Sequence, residues 1–477
     1  MDQYTLDRFV AIVGDDHALR DASAIAPYLE EPRGIYHDSS PLVLRPGSVE
    51  EISQILAAAT GTGTPIVPQS GNTGHVGGQV PLEGKCQVIL SMSRLNRIRE
   101  IDTVGNTLTA DAGCVLQDIQ TAARDAGLLF PLSLGAQGSC QIGGNLSTNA
   151  GGTAVLAYGN TRQLCLGLEV VLPTGEVWSA LRKLKKDNTG YDLRDLFVGA
   201  EGTLGIITAA VVKLFPIPAG HQVAIAGLEN PEAALALFNR AQRRCGAALT
   251  GFELMQRIAV EFTVRHIPGT KDPLTGQHPW YVLVDISSAR SQEDAEAMMQ
   301  DTLEDAFAQS LIGDAVVAQS ETQRQAMWSM RENMSSAQKP EGSSIKHDVS
   351  VPIAAIPAFM AQADKAVLEL MPDARIVAFG HMGDGNIHYN ISQPEGADPA
   401  EHLARRREIN DAVYEKALAL SGSISAEHGI GQLKQHRLEQ IREPIEIDLM
   451  RRIKAAFDPA GIMNPGKVIS ASARRAD

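Results

Sequence analysis

Two histidines flank a short glycine turn in the last third of the chain. The sequence predicts a strand over Arg375–His381, a turn over residues 382–385 with the composition Met-Gly-Asp-Gly, and a returning strand over Asn386–Ser392. A hairpin of this kind brings His381 and His388 to the same end of the two strands. We therefore expect the two imidazoles to lie close enough to share one ion.

A carboxylate and a third imidazole follow on a second glycine-rich loop, at Glu427 and His428. Asn390 lies two residues after His388 and therefore on the same face of the predicted strand. Two imidazoles and one carboxylate leave a coordination position open, as in a catalytic zinc site, although the same ligands suit manganese, iron or cobalt. Spacing alone leaves two alternatives open: a pair of core histidines with a solvated Glu-His pair, or a flavin-free hydrolase that activates water.

Three basic and polar residues upstream could bind an anionic substrate. Arg331 and Ser335 lie one turn apart in a helical stretch, and an arginine can hold a carboxylate through two parallel hydrogen bonds. Lys346 lies in an alternating run, where it points to the same side of a strand as Asp348. An isolated arginine or lysine is ordinarily a solvated surface residue, so these positions alone do not establish a site.

Three glycine-rich segments occupy the first half of the chain, at residues 68–78, 135–152 and 201–207. Each can aim several backbone N–H groups at one anion. The Rossmann and Walker patterns are both absent, because no glycine loop opens a helix in the required way or ends in Gly-Lys-Ser/Thr. One such segment would be an ordinary turn, but three together favour a ligand larger than a phosphate.

The same segments, with the run at residues 186–192, resemble the FAD-binding oxidase/transferase type 4 family of the vanillyl-alcohol-oxidase (VAO)/PCMH fold, over residues 42–467. The resemblance implies that the first two segments hold the FAD diphosphate, while the later ones line the ribityl chain and ring. His75 does not lie where flavin-linked histidines of that family are found, so FAD is expected to be non-covalent. The implied FAD contacts are Pro68, Ser70, Gly71, Asn72, Thr73, Gly74, Gly77, Gly78, Gly138, Ser139, Ile142, Gly143, Gly144, Asn145, Thr148, Asn149, Gly151, Gly152, Glu201, Gly202, Gly205, Ile206, Ile207 and Asn464.

The resemblance also assigns the chemistry. It implies a divalent metal, with zinc expected, on His381, His388 and Glu427, and catalytic roles for His428 and Asn390. The implied substrate-binding residues are Arg331, Ser335, Lys346, Asn390 and His428. Within the family, Arg331, Ser335 and Lys346 resemble the substrate-binding positions of D-2-hydroxyglutarate dehydrogenases, with serine at 335 where threonine is common; related D-lactate dehydrogenases generally lack equivalents of Ser335 and Lys346. Oxidation of D-2-hydroxyglutarate to 2-oxoglutarate by hydride transfer to flavin is therefore expected, with D-lactate, glycolate or a broader range of D-2-hydroxy acids as the alternative.

These residues need at least two domains to position them, and 477 residues favour two or three. The fold class predicted is α+β. Residues 1–219 form a PCMH-type FAD-binding domain to which a tail at 464–477 returns, and residues 220–463 form the substrate and metal domain. Two strand–helix–strand units after residue 220 predict a ferredoxin-like sheet. Long helices are predicted at residues 321–337, 353–370, 399–420 and 435–457.

The amino-acid composition restricts the kinds of partner that the protein can bind. The formal charge of −14 argues against nucleic acid or an acidic membrane surface, and requires a local basic site for an anionic substrate. Five scattered cysteines without a C-x-x-C pair argue against a disulfide scaffold or structural zinc. An acidic first segment and no apolar run of membrane-spanning length predict a cytoplasmic protein. An acceptor such as electron-transfer flavoprotein or a quinone must reoxidise the flavin, and a homodimer is compatible with the sequence.

Overall fold

The chain forms two structural units and passes from one to the other more than once. A computed structural model describes residues 2–470. The first unit contains Met1–Gly151, Gly159–Pro216 and Glu427–Asp477, and the second contains Gly152–Tyr158 and Ile217–Ala426. The expected boundary at 219/220 is thus found at 216/217. The C-terminal segment joins the first unit from Glu427 onward rather than from Asn464, and the expected tail ends in residues that lie outside the described range.

Both units contain β-strands. In chain order they are β1 (Ala18–Leu19), β2 (Val43–Leu44), β3 (Ile66–Gln69), β4 (Val88–Ser91), β5 (Ile98–Asp102), β6 (Thr107–Asp111), β7 (Leu128–Leu129), β8 (Cys165–Val171), β9 (Val177–Ala180), β10 (Ile206–Lys213), β11 (Phe215–Pro216), β12 (Gly220–Leu228), β13 (Leu249–Gln256), β14 (Trp280–Ser288), β15 (Asp314–Val317), β16 (Ser344–Ser350), β17 (Arg375–His381) and β18 (Asn386–Ser392).

Helices cover the sheets. In chain order they are α1 (Gln3–Val13), α2 (Ala22–Ile25), α3 (Val49–Thr62), α4 (Leu116–Asp125), α5 (Ile142–Thr148), α6 (Val155–Tyr158), α7 (Thr161–Leu164), α8 (Arg194–Phe197), α9 (Pro231–Cys245), α10 (Arg257–His266), α11 (Gln292–Ala308), α12 (Glu321–Glu332), α13 (Met334–Ala337), α14 (Ile356–Leu370), α15 (Pro399–Ala404), α16 (Arg406–Ala419), α17 (Gln435–Ile441) and α18 (Pro444–Phe457).

The first unit contains a four-stranded sheet in the order β1-β2-β4-β3 and a five-stranded antiparallel sheet in the order β5-β6-β10-β8-β9. Helix α3 leads into the first of these sheets. Its N-cap is Ser48, whose side chain accepts a hydrogen bond from the Glu51 N–H, and it ends at Gly63 in the left-handed conformation. Strand β3 then runs directly into the first glycine-rich segment, so a helix stop and a buried strand fix where that segment begins.

The second unit is built on one antiparallel sheet in the order β15-β12-β14-β13-β17-β18-β16. The first four strands in this order have the antiparallel arrangement of a ferredoxin-like sheet, as predicted, and the hairpin β17–β18 with β16 extends it. Helices α10, α12 and α13 pack an apolar cluster against one sheet face; it includes Met255, Met330, Met334, Val377 and Phe379. This packing fixes α12 and α13 over the strands that carry the candidate site.

Three long helices predicted from the sequence are interrupted. The predicted helix at 435–457 is wrong as a single element, because it breaks into α17 and α18 at Glu443-Pro444. Proline lacks the N–H that an interior position must donate and instead begins the second helix. The predicted helices at 321–337 and 399–420 break at Asn333 and Arg405.

Candidate active site

Sheet register places six polar side chains on one face of the second unit. Glu253 is the Cα partner of His381, Asp348 is the partner of His388, and Lys346 is the partner of Asn390. Cross-strand partners project to the same face of a sheet. Phe379 pairs with His388 and joins the three pairs into one continuous surface. The predicted metal ligands of this unit and two of its predicted substrate residues therefore share one face.

The two histidines of the hairpin lie side by side, with ring centroids 5.5 Å apart and nearly perpendicular planes. His381 Nδ1 lies 2.8 Å from Glu253 Oε1. Because a carboxylate only accepts, the proton belongs on Nδ1 and the ring lone pair on Nε2, the arrangement typical of a metal-bound imidazole. Burial and the neighbouring His381 lower the pKa of His388 to about 3, so this ring is neutral as metal binding requires.

The residues just before Glu427 are hydrogen-bonded to strand β16. Ala426 ends the second unit, and its N–H donates to the backbone oxygen of Asp348, which is the register partner of His388. Ser423 and Ser350 also exchange backbone hydrogen bonds of 2.7 and 3.1 Å. The peptide bond that follows leads directly to Glu427, so the predicted third ligand begins the segment that returns to the first unit.

Arg331 projects from α12 onto the same sheet face. Its Nη2 lies 2.7 Å from Glu253 Oε2, and its guanidinium carbon lies 4.9 Å from the centroid of the Phe379 ring. The side chain is 6% exposed, and its Nε and Nη2 make no hydrogen bond of good geometry within the described part of the chain. Buried donors are normally satisfied, so this guanidinium is suited to a carboxylate ligand.

Lys346 and Ser335 meet beside this arginine. The Lys346 ammonium donates to Ser335 Oγ at 3.1 Å, so strand β16 is joined to the short helix α13. Asn390, the register partner of Lys346, is 3% exposed on β18. Arg331, Ser335, Lys346 and Asn390 therefore belong to one surface with the two histidines.

Glu253 is the functional side chain that the sequence prediction omitted. It lies in strand β13 between apolar neighbours, in the run Phe-Glu-Leu-Met, and its side chain is 1% exposed. Burial opposes its ionisation, but His381 and Arg331 outweigh this and lower the pKa of Glu253 to about 2. A carboxylate within a buried strand was the available signal, since such a group requires a partner.

The predicted FAD segments converge within the first unit. A Cβ placed on Gly71 would lie 2.1 Å from the Ser139 oxygen, and one on Gly202 would lie 2.4 Å from Pro68 Cγ. Asn464 donates to the backbone oxygens of Gly78 and Glu201 at 2.9 and 2.8 Å. All three glycine-rich segments and the C-terminal asparagine are thus in mutual contact. Gly152 alone among the predicted FAD residues belongs to the second unit.

These contacts leave polar atoms suited to a cofactor. Asn145 Oδ1 and Asn464 Oδ1 are buried and accept no hydrogen bond from any residue that the structure describes. Both belong to the predicted FAD contacts. Buried acceptors of this kind fit the hydroxyl and N–H donors of a ribityl chain and flavin ring. The residues present therefore fit FAD.

Glu201 fixes the loop that begins with Glu427 and His428. Its buried carboxylate accepts hydrogen bonds from the N–H groups of Ile430 and Gly431 at 2.7 and 2.8 Å. Burial raises the pKa of Glu201, and the two backbone donors act in the opposite direction. The carboxylate is thus engaged with the loop, and any FAD contact at Glu201 would have to come from its backbone.

His428 lies beside the first glycine-rich segment. Its ring centroid is 5.0 Å from that of His75, with the planes nearly perpendicular. Gln432 and Leu433 on the same loop donate their N–H groups to Val76 O. The predicted catalytic base is therefore held against a segment predicted to bind FAD.

Comparison with known proteins identifies the family. Residues 217–468 match the model for the C-terminal domain of FAD linked oxidases, and residues 40–180 match the FAD binding domain. A D-2-hydroxyglutarate dehydrogenase from Xanthomonas citri pv. viticola is 38% identical over 423 residues, which cover 89% of this chain and 88% of that protein. A mitochondrial D-2-hydroxyglutarate dehydrogenase from Danio rerio is 38% identical over 440 residues, covering 90% and 79%. The chain belongs to the FAD-linked oxidase family.

This flavoenzyme is accordingly an oxidoreductase that acts on CH–OH donors. Solved structures support the fold: p-cresol methylhydroxylase aligns with a TM-score of 0.80 at 18% identity, covering 98% of this chain and 96% of that one. A 4-ethylphenol oxidase from Gulosibacter chungangensis aligns with a TM-score of 0.75 at 22% identity, covering 99% and 97%. The predicted α+β class with a VAO/PCMH-type domain is confirmed. Within residues 2–470, no helix has the length and apolar character needed to cross a membrane.

The Gly71–Ser139 contact can be tested in the flavoenzyme. Gly71→Ala would press a methyl group onto a backbone oxygen, so we expect a loss of about 1–3 kcal/mol in stability together with a lower FAD content. Gly61→Ala is the control, because Gly61 lies outside the glycine-rich segments and a Cβ there meets no atom within 4 Å. FAD absorbance per chain and the midpoint of urea unfolding measure the effect. Equal FAD content and midpoint in the two variants would contradict it.

Proposed function

We propose that this flavoenzyme oxidises D-2-hydroxyglutarate to 2-oxoglutarate, using non-covalent FAD and a divalent metal that we take to be zinc. The observation that carries the substrate assignment is the contact of Lys346 with Ser335 on the sheet face that also holds Arg331. A monocarboxylate needs one cationic anchor, whereas a dicarboxylate needs two. The names of relatives from bacteria, plants and animals support the same substrate.

Each anchor has a distinct role. Arg331 is buried and held against Phe379, and it offers two donors to one carboxylate. Lys346 is partly exposed on the edge strand β16, and a flexible ammonium suits the distal carboxylate. Because the chain as a whole carries a charge of −14, these two local cations are what would recruit a dianion.

The metal would be held by His381, His388 and Glu427. When bound, it supplies a Lewis acid for the substrate oxygens and FAD supplies the hydride acceptor. His428 takes the hydroxyl proton of the substrate, since an imidazole titrates near neutral pH. Asn390 donates a hydrogen bond to the same oxygen as it becomes a carbonyl.

Two other functions agree less well with these residues. Oxidation of D-lactate or glycolate would use the same flavin and metal but would not require a distal cationic anchor such as Lys346. A flavin-free hydrolase is disfavoured because one matching family model describes FAD linked oxidases and the other an FAD binding domain. For reoxidation of the flavin we propose electron-transfer flavoprotein or a quinone. A relative from Saccharomyces cerevisiae is named a D-2-hydroxyglutarate–pyruvate transhydrogenase, so pyruvate belongs in the acceptor assay.

Anaerobic mixing with a panel of D- and L-2-hydroxy acids tests the proposal. We expect D-2-hydroxyglutarate to bleach the flavin faster than D-lactate, and the L-enantiomers to leave it oxidised. In Lys346→Ala the kcat/KM for D-2-hydroxyglutarate should fall roughly 10- to 100-fold, as for loss of a hydrogen bond to a charged group. The D-lactate value should change much less, because lactate has no distal carboxylate.

Lys339→Ala provides the control, since this exposed lysine precedes the same strand. It should leave both kcat/KM values unchanged. Equal losses on the two substrates in Lys346→Ala would reject Lys346 as the distal anchor. Failure of D-2-hydroxyglutarate to reduce the wild-type flavin would reject the function itself.

A further inference from the structure

One carboxylate joins the two halves of the proposed substrate machinery in the second unit. Glu253 Oε1 lies 2.8 Å from His381 Nδ1, and Glu253 Oε2 lies 2.7 Å from Arg331 Nη2. The three residues come from β13, β17 and α12, so the contact is made only in the folded sheet and its covering helix. Each oxygen thus faces a different functional group.

Burying this carboxylate costs desolvation free energy, which indicates that the contact serves a function. The Glu253 side chain is 1% exposed, and a buried carboxylate loses its hydration. Apolar residues of similar volume often replace buried ion pairs without loss of stability. Neighbouring positions on the same sheet face, such as Met255 and Phe379, show that this environment accepts apolar side chains.

We propose that Glu253 is a positioning residue that orients a metal ligand and the substrate-gripping arginine with one carboxylate. Its first oxygen holds His381 with the proton on Nδ1, so that Nε2 faces the metal. Its second oxygen holds Arg331 against the Phe379 ring, so that the remaining guanidinium donors face the substrate carboxylate. This inference rests on the proposed function for the role of Arg331, but its effect on the metal does not depend on the substrate.

Glutamine at this position separates the two functions of the carboxylate. In Glu253→Gln one oxygen can still accept from His381, but the amide NH₂ that replaces the other oxygen donates and cannot pair with a guanidinium. The side chain can turn the amide either way, but it satisfies only one neighbour at a time. A merely structural carboxylate would show no linked effect on metal and substrate.

The test uses the purified holoenzyme and Zn²⁺ in competition with a chromophoric chelator. In Glu253→Gln we expect the zinc affinity to fall roughly 10- to 100-fold, the range found for lost partners of metal-bound histidines. We also expect the KM for D-2-hydroxyglutarate to rise on the order of tenfold, with FAD content unchanged. Glu253→Asp keeps the charge but retracts it by one methylene, and should show both effects if glutamine prevents folding.

Glu341→Gln is the matched control. Its carboxylate is also buried in the second unit, at 8% exposure, and is paired with Arg375 and Arg265. It should lower stability without changing zinc affinity or KM. Unchanged zinc affinity and KM in folded Glu253→Gln, or equal changes in Glu341→Gln, would overturn the proposal. If wild-type flavin is not reduced by D-2-hydroxyglutarate, the proposed function fails while the zinc titration still decides the role of Glu253.

Discussion

Replacing His428 with asparagine is expected to lower kcat for D-2-hydroxyglutarate by roughly a hundredfold or more. Asparagine keeps a polar side chain of similar size but cannot take the hydroxyl proton at neutral pH. FAD should remain bound, because the loop is anchored through the backbone N–H groups of Ile430 and Gly431 to Glu201 and not through the side chain at 428. The loss should therefore lie in the rate of flavin reduction, measured by anaerobic stopped-flow absorbance.

His436→Asn is a suitable control for the His428 variant. His436 is exposed on α17, a few residues after the same loop, and contacts Gln440. It should leave the reduction rate unchanged. A His428→Asn enzyme that reduces its flavin at the wild-type rate would exclude His428 as the base.

Removing the metal is expected to have a comparably large effect. A Lewis acid contributes several kcal/mol to stabilising charge on the substrate oxygen, so dialysis against a chelator should lower turnover on the order of a hundredfold or more. FAD should stay bound, because its predicted contacts lie in the glycine-rich segments. Adding back Zn²⁺, Mn²⁺ or Co²⁺ in turn should identify the metal that restores the rate.

His388→Ala tests the same site from the protein side. The variant should retain FAD but lose metal, as measured by elemental analysis per chain. Burial and the His381 ring hold the pKa of His388 at about 3, so the wild-type site should keep its neutral ligand at all pH values used for assay. Chelated enzyme with full activity would remove the metal from the mechanism.

The parts of the fold that local chemistry determines were predictable. Asn230 and Ser291 cap α9 and α11 through their side chains, and the strands β12 to β15 that alternate with these helices give the ferredoxin-like order. The β17–β18 hairpin was equally visible, because turn residues separate two alternating runs. Pro444 is the local signal for the break between α17 and α18, so the single helix predicted across it was too long.

The long-range parts of the site were not predictable from the chain alone. Glu253 and its partner His381 are 128 residues apart, and no local pattern links them. The early return of the C-terminal segment depends on side chains such as Lys454, which donates to the backbone oxygens of Thr203 and Met463. Such contacts follow from the packed fold and not from periodicity. The family resemblance implied metal and substrate residues but gave no information on which side chains position them.

The hairpin between β17 and β18 restricts where residues can be inserted into or deleted from this enzyme. Phe379 faces His388, and Val377 faces Asn390, through a connection of four residues, 382–385. A single inserted or deleted residue there would shift the pairing by one and send both His388 and Asn390 to the opposite side of the sheet. Gly380 and Gly385 add a steric limit, since side chains there would meet backbone oxygens at 2.4 and 2.3 Å. Homologous enzymes that keep this chemistry should therefore vary in length in other surface loops, with this connection kept at constant size.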